Sequence, residues 1–333
     1  IYSSGLSDRQ VTIPEVLKPA GYQTGMVGKW HLGTNPTKDG PIQRGFDRFY
    51  GTMGGGGSYW TPPGLTRDTE FVEPDGEDYY YTDKIGEEAA KQIEAFAGDD
   101  QPFFQYVAFT AAHWPIHAPE ATIQKYINRY RGGWEKLREE RYARMLEIGI
   151  VDRERWPLPP MEPGVADWDS VDHKAWHIRN MAVYAAMVDH MDQAVGRIVD
   201  ALKQTEQLED TLIVYMHDNG ACSEHLSGNG WGTATDLLAW AEQNGKTIAL
   251  GDRYETSMGG PLTYGSVGRN WANAQNTPFR RYKANVHEGG ACTACIMHWP
   301  AGMNYRGEIT RLRGHLVDLM ATCIELAGAK YPE

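Results

Sequence analysis

Apolar residues along this chain recur in two rhythms. Across residues 83–96 they fall at Ile85, Ala89, Ile93 and Phe96, the three-or-four spacing of one helix face. Across residues 173–204 the same period runs on through Ile178, Met181, Ala185, Val188, Met191, Val195, Ile198 and Leu202, which predicts one long helix with a continuous apolar stripe. Residues 121–148 are charged and helix-prone. Shorter helices are predicted at 12–20, stopped by Gly21, at 236–243 and at 316–326. Between them lie short, nearly unbroken apolar runs at 103–109, 211–216 and 294–299, together with a strand through Met26 and Val27. Runs of that length read as buried strands. Strands alternating with helices predict an α/β fold with a mainly parallel sheet, whose functional residues stand in the loops after strand ends. Residues 218–277 are long, Gly-rich and polar, as an active-site surface would be.

Four of these regions end abruptly in Lys, His, Asp or Asn. The first is Gly28-Lys29-Trp30-His31-Leu32-Gly33, where Lys29 and His31 point the same way in extended chain. A cation beside an imidazole can bind an anion and donate a proton, although spacing alone does not separate this from a loop lysine and a loop histidine. The second is Ala112-His113-Trp114-Pro115-Ile116-His117, in which proline stiffens the loop around His113; either histidine read singly is structural. The third is Asp218-Asn219-Gly220, two hard oxygen donors suited to Ca²⁺ or Mg²⁺, or equally an Asx turn. The fourth is Arg280-Arg281-Tyr282-Lys283, followed by His287-Glu288-Gly289-Gly290, an oxyanion contact or a solvated face. Three further features read as structural. Asp189-His190-Met191-Asp192 lies mid-helix on a solvated face, Arg44-Gly45-Phe46-Asp47 forms a turn anchored by Phe46, and the glycine run at 54–57 is a flexible loop.

Charge narrows the partners. With 32 basic against 44 acidic residues the net charge is −12, which disfavours nucleic acid as the main partner. No apolar run approaches the roughly 20 residues that a membrane-spanning helix needs. Four cysteines are too few for a disulfide framework, and Cys292-Thr-Ala-Cys295 lacks a second pair for zinc, so it reads as small residues on a buried strand.

Taken in order, these segments resemble the type I sulfatases of the alkaline phosphatase superfamily, in a form similar to bacterial arylsulfatases. Residues 21–33, Arg44-Gly45-Phe46-Asp47, Ala112-His113-Trp114-Pro115, Asp218-Asn219-Gly220 and Lys283 with Glu288-Gly289-Gly290 carry the resemblance. It implies an alkaline-phosphatase-like sandwich, a mostly parallel central sheet flanked by helices, incomplete at its N-terminus. It implies hydrolysis of sulfate monoesters, a sulfuric ester hydrolase activity, with Lys29, His31, His113 and Lys283 holding the sulfate. His113 would protonate the leaving alcohol and His31 would act as base for the sulfated intermediate. Asp218 and Asn219 would ligate Ca²⁺, with Mg²⁺ possible. The nucleophile would be a formylglycine made from Cys or Ser in a C/S-x-P-S-R motif by a formylglycine-generating or anaerobic sulfatase-maturating enzyme.

The chain also departs from that pattern. It contains no C-x-P-S-R or S-x-P-S-R, and no Asp-Asp pair after an N-terminal strand. Residues 1–333 are therefore expected to be a catalytic domain truncated at both ends, lacking the nucleophile motif and the C-terminal subdomain. As a fragment it is expected to be inactive and to fold poorly alone. The expected substrate is a sulfated small molecule or a sulfated glycan, with the Tyr-, Trp- and Gly-rich loops at 51–80 and 222–277 as its platform or as ordinary packing. Family habit places the protein in the periplasm or outside the cell. A phosphodiesterase or phosphonate monoester hydrolase on the same scaffold, or a non-catalytic sulfated-glycan binder, are the alternatives.

Overall fold

The computed structural model describes residues 5–226, 234–251 and 253–332, and the platform loop's residues 227–233 and 252 lie outside them. The chain forms two compact units, one of Ile1–Ala111, His190–Glu209 and Thr310–Glu333, the other of Ala112–Asp189 and Asp210–Ile309.

The first unit opens with helix α1 (Ile13–Leu17), whose start is fixed by a capping box: Thr12 caps Glu15, and Glu15 reaches back to the Thr12 amide. A short 3₁₀ turn follows and ends at Gly21, as the sequence predicts. Strands β1 (Gln23–Lys29), β2 (Arg48–Thr52), β3 (Leu65–Arg67), β4 (Glu70–Phe71) and β5 (Phe103–Ala108) make one sheet in the order β4-β3-β2-β1-β5. β1 runs parallel to both neighbours, with Val27 opposite Tyr50 and Val107. The two outer strands are antiparallel, so the sheet is mixed, with its parallel part at the expected place.

Helix α2 (Tyr81–Phe96) packs on β1 and buries Ile85, Ala89, Ile93 and Phe96, the residues of the sequence periodicity. Met26, Trp30, Phe46, Phe49 and Met53 form the core on this unit's sheet. The Arg44–Asp47 turn is structural: Arg44 pairs with Glu15 at 2.8 Å, and Asp47 accepts from the amide and hydroxyl of Thr24.

The second unit contains α3 (Glu120–Tyr126), α4 (Gly133–Glu147), the first half of the long helix α5 (Lys174–Gln204), β6 (Ile213–Met216), α6 (Ala234–Gln243), β7 (Ala249–Leu250), β8 (Thr263–Tyr264), α7 (Gly268–Gln275), α8 (Glu288–Ala291) and β9 (Cys295–His298). β6 and β9 pair antiparallel, while β7 and β8 pair parallel. Its core is aromatic. The fully buried Trp134 meets Trp168, Trp271 and His177 with ring centroids 4.7, 5.4 and 5.4 Å away, and its indole N–H donates to the Ala166 carbonyl. A last helix, α9 (Val317–Ala327), belongs to the first unit, where it packs against α1.

Three local expectations are corrected. β9 is exposed along its length, with Ile296 61% and Met297 49% accessible, because among the described residues it pairs only with β6. Cys292, just before β9, and Cys295 on it are exposed and in no disulfide. β5 is half-buried rather than buried, since it is the edge of its sheet. His190 does not lie on a solvated face. It is 9% exposed, pairs through Nδ1 with Asp83 at 2.9 Å and abuts the Tyr80 ring.

Candidate active site

In the first unit, Lys29 closes β1 and His31 follows it after one buried anchor. Trp30 sits in the core with its indole N–H donating to the Asp39 carbonyl at 2.8 Å. The amides of Trp30 and His31 donate to the carbonyls of Thr52 and Met53, so the segment leaves β1 still tied to the end of β2. His31 is exposed and holds φ +57°, a left-handed conformation uncommon for a residue with a side chain. Its ring lies over Gly55, where an added Cβ would come within 2.5 Å of Cε1 and Nε2. Gly55 is thus a seat for the imidazole and not merely part of a flexible run. The aromatic residues of the 51–80 loop are mostly packing: Tyr59, Tyr79 and Tyr80 are buried.

The second unit gathers the other four predicted residues around one interlocked set of loops. His113 Nδ1 stands 2.7 Å from the Trp114 carbonyl. A carbonyl only accepts, so Nδ1 carries the hydrogen and the neutral ring offers its lone pair at Nε2. That nitrogen lies 3.3 Å from Lys283 Nζ. The Lys283 amide donates to the Ala221 carbonyl at 3.0 Å, and the Gly220 amide to the Gly290 carbonyl at 3.1 Å. Two predicted motifs are thereby one structure. The fit requires glycine, since a Cβ on Gly220 would stand 1.8 Å from the Gly289 carbonyl oxygen.

Asn276 completes the set. Its Oδ1 accepts from the Ala221 amide at 2.8 Å, and its Nδ2 donates to the Arg281 and Gly289 carbonyls at 2.9 and 2.7 Å. Arg280 and Arg281 each have a carboxylate partner. They pair with the buried Glu162 at 2.9 and 3.5 Å, leaving Lys283 as the residue of that basic run that meets His113. His117 is structural: it is fully buried, bonded to the Thr263 carbonyl, and burial pulls its pKa down to about 4.

Asp218 is exposed, and the Asn219 amide nitrogen donates to the Gly220 carbonyl at 2.8 Å. A carboxylate and a carboxamide suit a hard cation chemically. Their number does not: among the described residues no group of three or more His, Cys, Asp or Glu side chains is placed to hold a metal ion. Glu224 and Asn276 contact these segments and were missed by sequence reasoning, which read Trp114 only as part of the His113 motif. Only Asn276 carried a signal, an Asn-Thr-Pro turn just before the basic run.

A sequence model of the sulfatase family matches residues 1–329. The chain is 32% identical over 342 residues to an arylsulfatase of Klebsiella aerogenes, covering 98% of this chain and 70% of that protein. An uncharacterized sulfatase of Schizosaccharomyces pombe is 30% identical over 348 residues, covering 99% of this chain and 60% of its own. The crystal structure of Ps i-CgsB in complex with k-i-k-neocarrahexaose overlays with a TM-score of 0.57 at 23% identity, over 96% of this chain and 54% of that one. The chain spans only part of the length of each of these proteins. The overlay supports the alkaline-phosphatase-like α/β fold.

Proposed function

The chain belongs to the sulfatase family, and from that premise we propose that the protein of which it is part hydrolyses sulfate monoesters in the arylsulfatase manner. The observation that carries this reading is the contact of Lys283 Nζ with His113 Nε2, on a loop hydrogen-bonded to the Asp218-Asn219-Gly220 turn. A lysine ammonium and an imidazole nitrogen with its partner N–H already committed are suited to an oxyanion and its leaving oxygen. In this role Lys283 and Lys29 donate to non-bridging sulfate oxygens. His113 takes up a second proton at Nε2, gives it as the imidazolium to the departing alcohol and returns to the Nδ1–H neutral ring, and His31 is the base of the second half of the cycle, in which sulfate leaves.

A hydrated formylglycine, placed by a formylglycine-generating or anaerobic sulfatase-maturating enzyme, would supply the attacking oxygen from outside residues 1–333. Asp218 and Asn219 are assigned to a Ca²⁺ ion, or Mg²⁺, as a partial ligand set. The proton transfers of His113 and His31 are independent of it. Residues 1–333 are read as most of one catalytic domain, with the nucleophile motif before it and a smaller subdomain after it. The exposed apolar residues of β9 and α9 support that division. The substrate class is a sulfated small molecule or sulfated glycan, and the location periplasmic or extracellular. Among the described residues no helix is long and apolar enough to cross a membrane.

The test is peptide mapping of the full-length protein by mass spectrometry, joined to an assay of aryl sulfate. A formylglycine in a C/S-x-P-S-R peptide, with alcohol and sulfate released one for one, supports the enzyme. An unmodified protein that binds sulfated glycans without turnover would establish the binder instead.

A further inference from the structure

The loop that follows the Asp218-Asn219-Gly220 turn carries a carboxylate without a role in the scheme above. Glu224 Oε2 accepts the Trp114 indole N–H at 2.5 Å and the Cys222 thiol at 3.3 Å. Its backbone carbonyl accepts from Ser266 Oγ at 2.6 Å, so the residue is fixed at both ends. Burial, with the Glu224 carboxylate adding to it, pushes the Cys222 thiol up to about 11. Cys222 therefore stays protonated at neutral pH and serves Glu224 as a donor; it is not a nucleophile.

Trp114 is the residue that holds His113. Its carbonyl takes the Nδ1 hydrogen at 2.7 Å, and its ring lies 4.5 Å from the imidazole at a tilt of 48°. On its other side the indole meets Tyr264, 5.9 Å away, at the edge of a small core formed with Leu226, Ala241 and Ile248. Apolar contact alone would let the indole slide along that core, because dispersion and burial carry little direction. A charge-assisted hydrogen bond from the ring N–H to a carboxylate supplies the direction.

We infer that Glu224 is a positioning residue for His113: acting through the Trp114 indole, it holds the imidazole with Nδ1–H on the Trp114 carbonyl and Nε2 toward Lys283. A neutral imidazole has one N–H, so the partner at Nδ1 decides which nitrogen can exchange a proton at the other end of the ring. If the indole shifts, the carbonyl shifts with it, and the hydrogen is free to move to Nε2, which then has no lone pair facing Lys283 and cannot take up the proton it passes to a leaving oxygen. The consequence for leaving-group protonation rests on the sulfate-ester reading. The tautomer control does not.

The test uses the full-length protein, labelled with 5-fluorotryptophan and ¹⁵N-histidine, as wild type, E224A, E224Q, W114F and W114F/E224A. E224A is expected to move the Trp114 fluorine resonance and to carry the His113 nitrogen shifts toward the Nε2–H tautomer. E224Q keeps a carbonyl acceptor and is expected to preserve both signals. In turnover, E224A is expected to lower kcat for a poor leaving group such as 4-methylphenyl sulfate by about tenfold to a hundredfold, with KM held and 4-nitrophenyl sulfate much less affected. W114F is expected to reproduce the loss, and the double variant to be no worse than either single one.

Unchanged histidine shifts in E224A, or an equal fall for both leaving groups, would overturn the inference. If E224A does not fold, W114F decides in the same way, since its His113 shifts must move. If the wild type turns over no sulfate ester, the catalytic reading fails while the nitrogen shifts still settle the positioning.

Discussion

At His113 the two ring nitrogens have separate partners, a carbonyl at Nδ1 and the Lys283 ammonium at Nε2. That division makes the effect of single substitutions in the full-length protein specific. Lys283→Ala removes the proposed oxyanion donor and is expected to lower kcat/KM for aryl sulfates by about 10²–10³-fold, checked by steady-state kinetics. The seat beneath His31 makes a second prediction. A methyl on Gly55 would press on the imidazole at 2.5 Å, so Gly55→Ala is expected to displace the ring and cost roughly tenfold to a hundredfold in kcat. Its thermal midpoint should remain that of the wild type, because the ring is exposed and moves outward at little cost to the fold. Nothing in the sequence marked this contact, since a run of glycines signals freedom whichever side chain it accommodates.

The elements were legible where burial follows a period. Ile85, Ala89, Ile93 and Phe96 do lie on the packed face of α2, and the strand through Met26 and Val27 is the parallel centre of its sheet. What the pattern could not show is which strands lack a second neighbour. β5 and β9 read as buried from their apolar residues, yet exposure is set by pairing. The loops are joined by polar hubs that also have no period. Asn276→Ala deletes three hydrogen bonds linking α7's end to Ala221, Arg281 and Gly289, and should cost about 2–4 kcal/mol by chemical denaturation. The loop before α3 carries a pH effect through His117, which is bonded to the Thr263 carbonyl. Its pKa is about 4 in the fold, below the value of an unfolded histidine, so the unfolded chain takes up the proton first. Stability present above the unfolded value is lost as pH falls toward 4, at about 1.4 kcal/mol per pH unit. Denaturation curves of the full-length protein at stepped pH, compared with His117→Gln, should show that slope reduced by one proton's worth.

On the scale of the molecule, the charge of −12 is a bulk property that says little about a locally basic pair such as Lys283 and His113. The apolar surface is more informative. Leu312, Leu316, Val317, Ile296 and Met297 are each about half exposed or more, and α9 buries no residue. Surfaces of that kind mark places where further chain or a partner packs. The 333-residue chain alone is therefore expected to bind the dye ANS strongly and to run as aggregates on size exclusion, while the full-length protein does neither. A monodisperse 333-residue chain with a cooperative melt would contradict the expectation that these apolar surfaces are covered by something further.

Oxyanion contacts do not by themselves choose the ester. Phosphate diesters and phosphonates share the tetrahedral oxyanion, and they would meet the same lysines and histidines. The direct measurement is kcat/KM of the matured full-length protein for 4-nitrophenyl sulfate, beside phosphate monoester, phosphodiester and phosphonate esters of the same alcohol. The expected result is a clear preference for the sulfate ester that collapses in Lys283→Ala. A protein that turned over the phosphorus esters faster, or that cleaved none of the four, would contradict it.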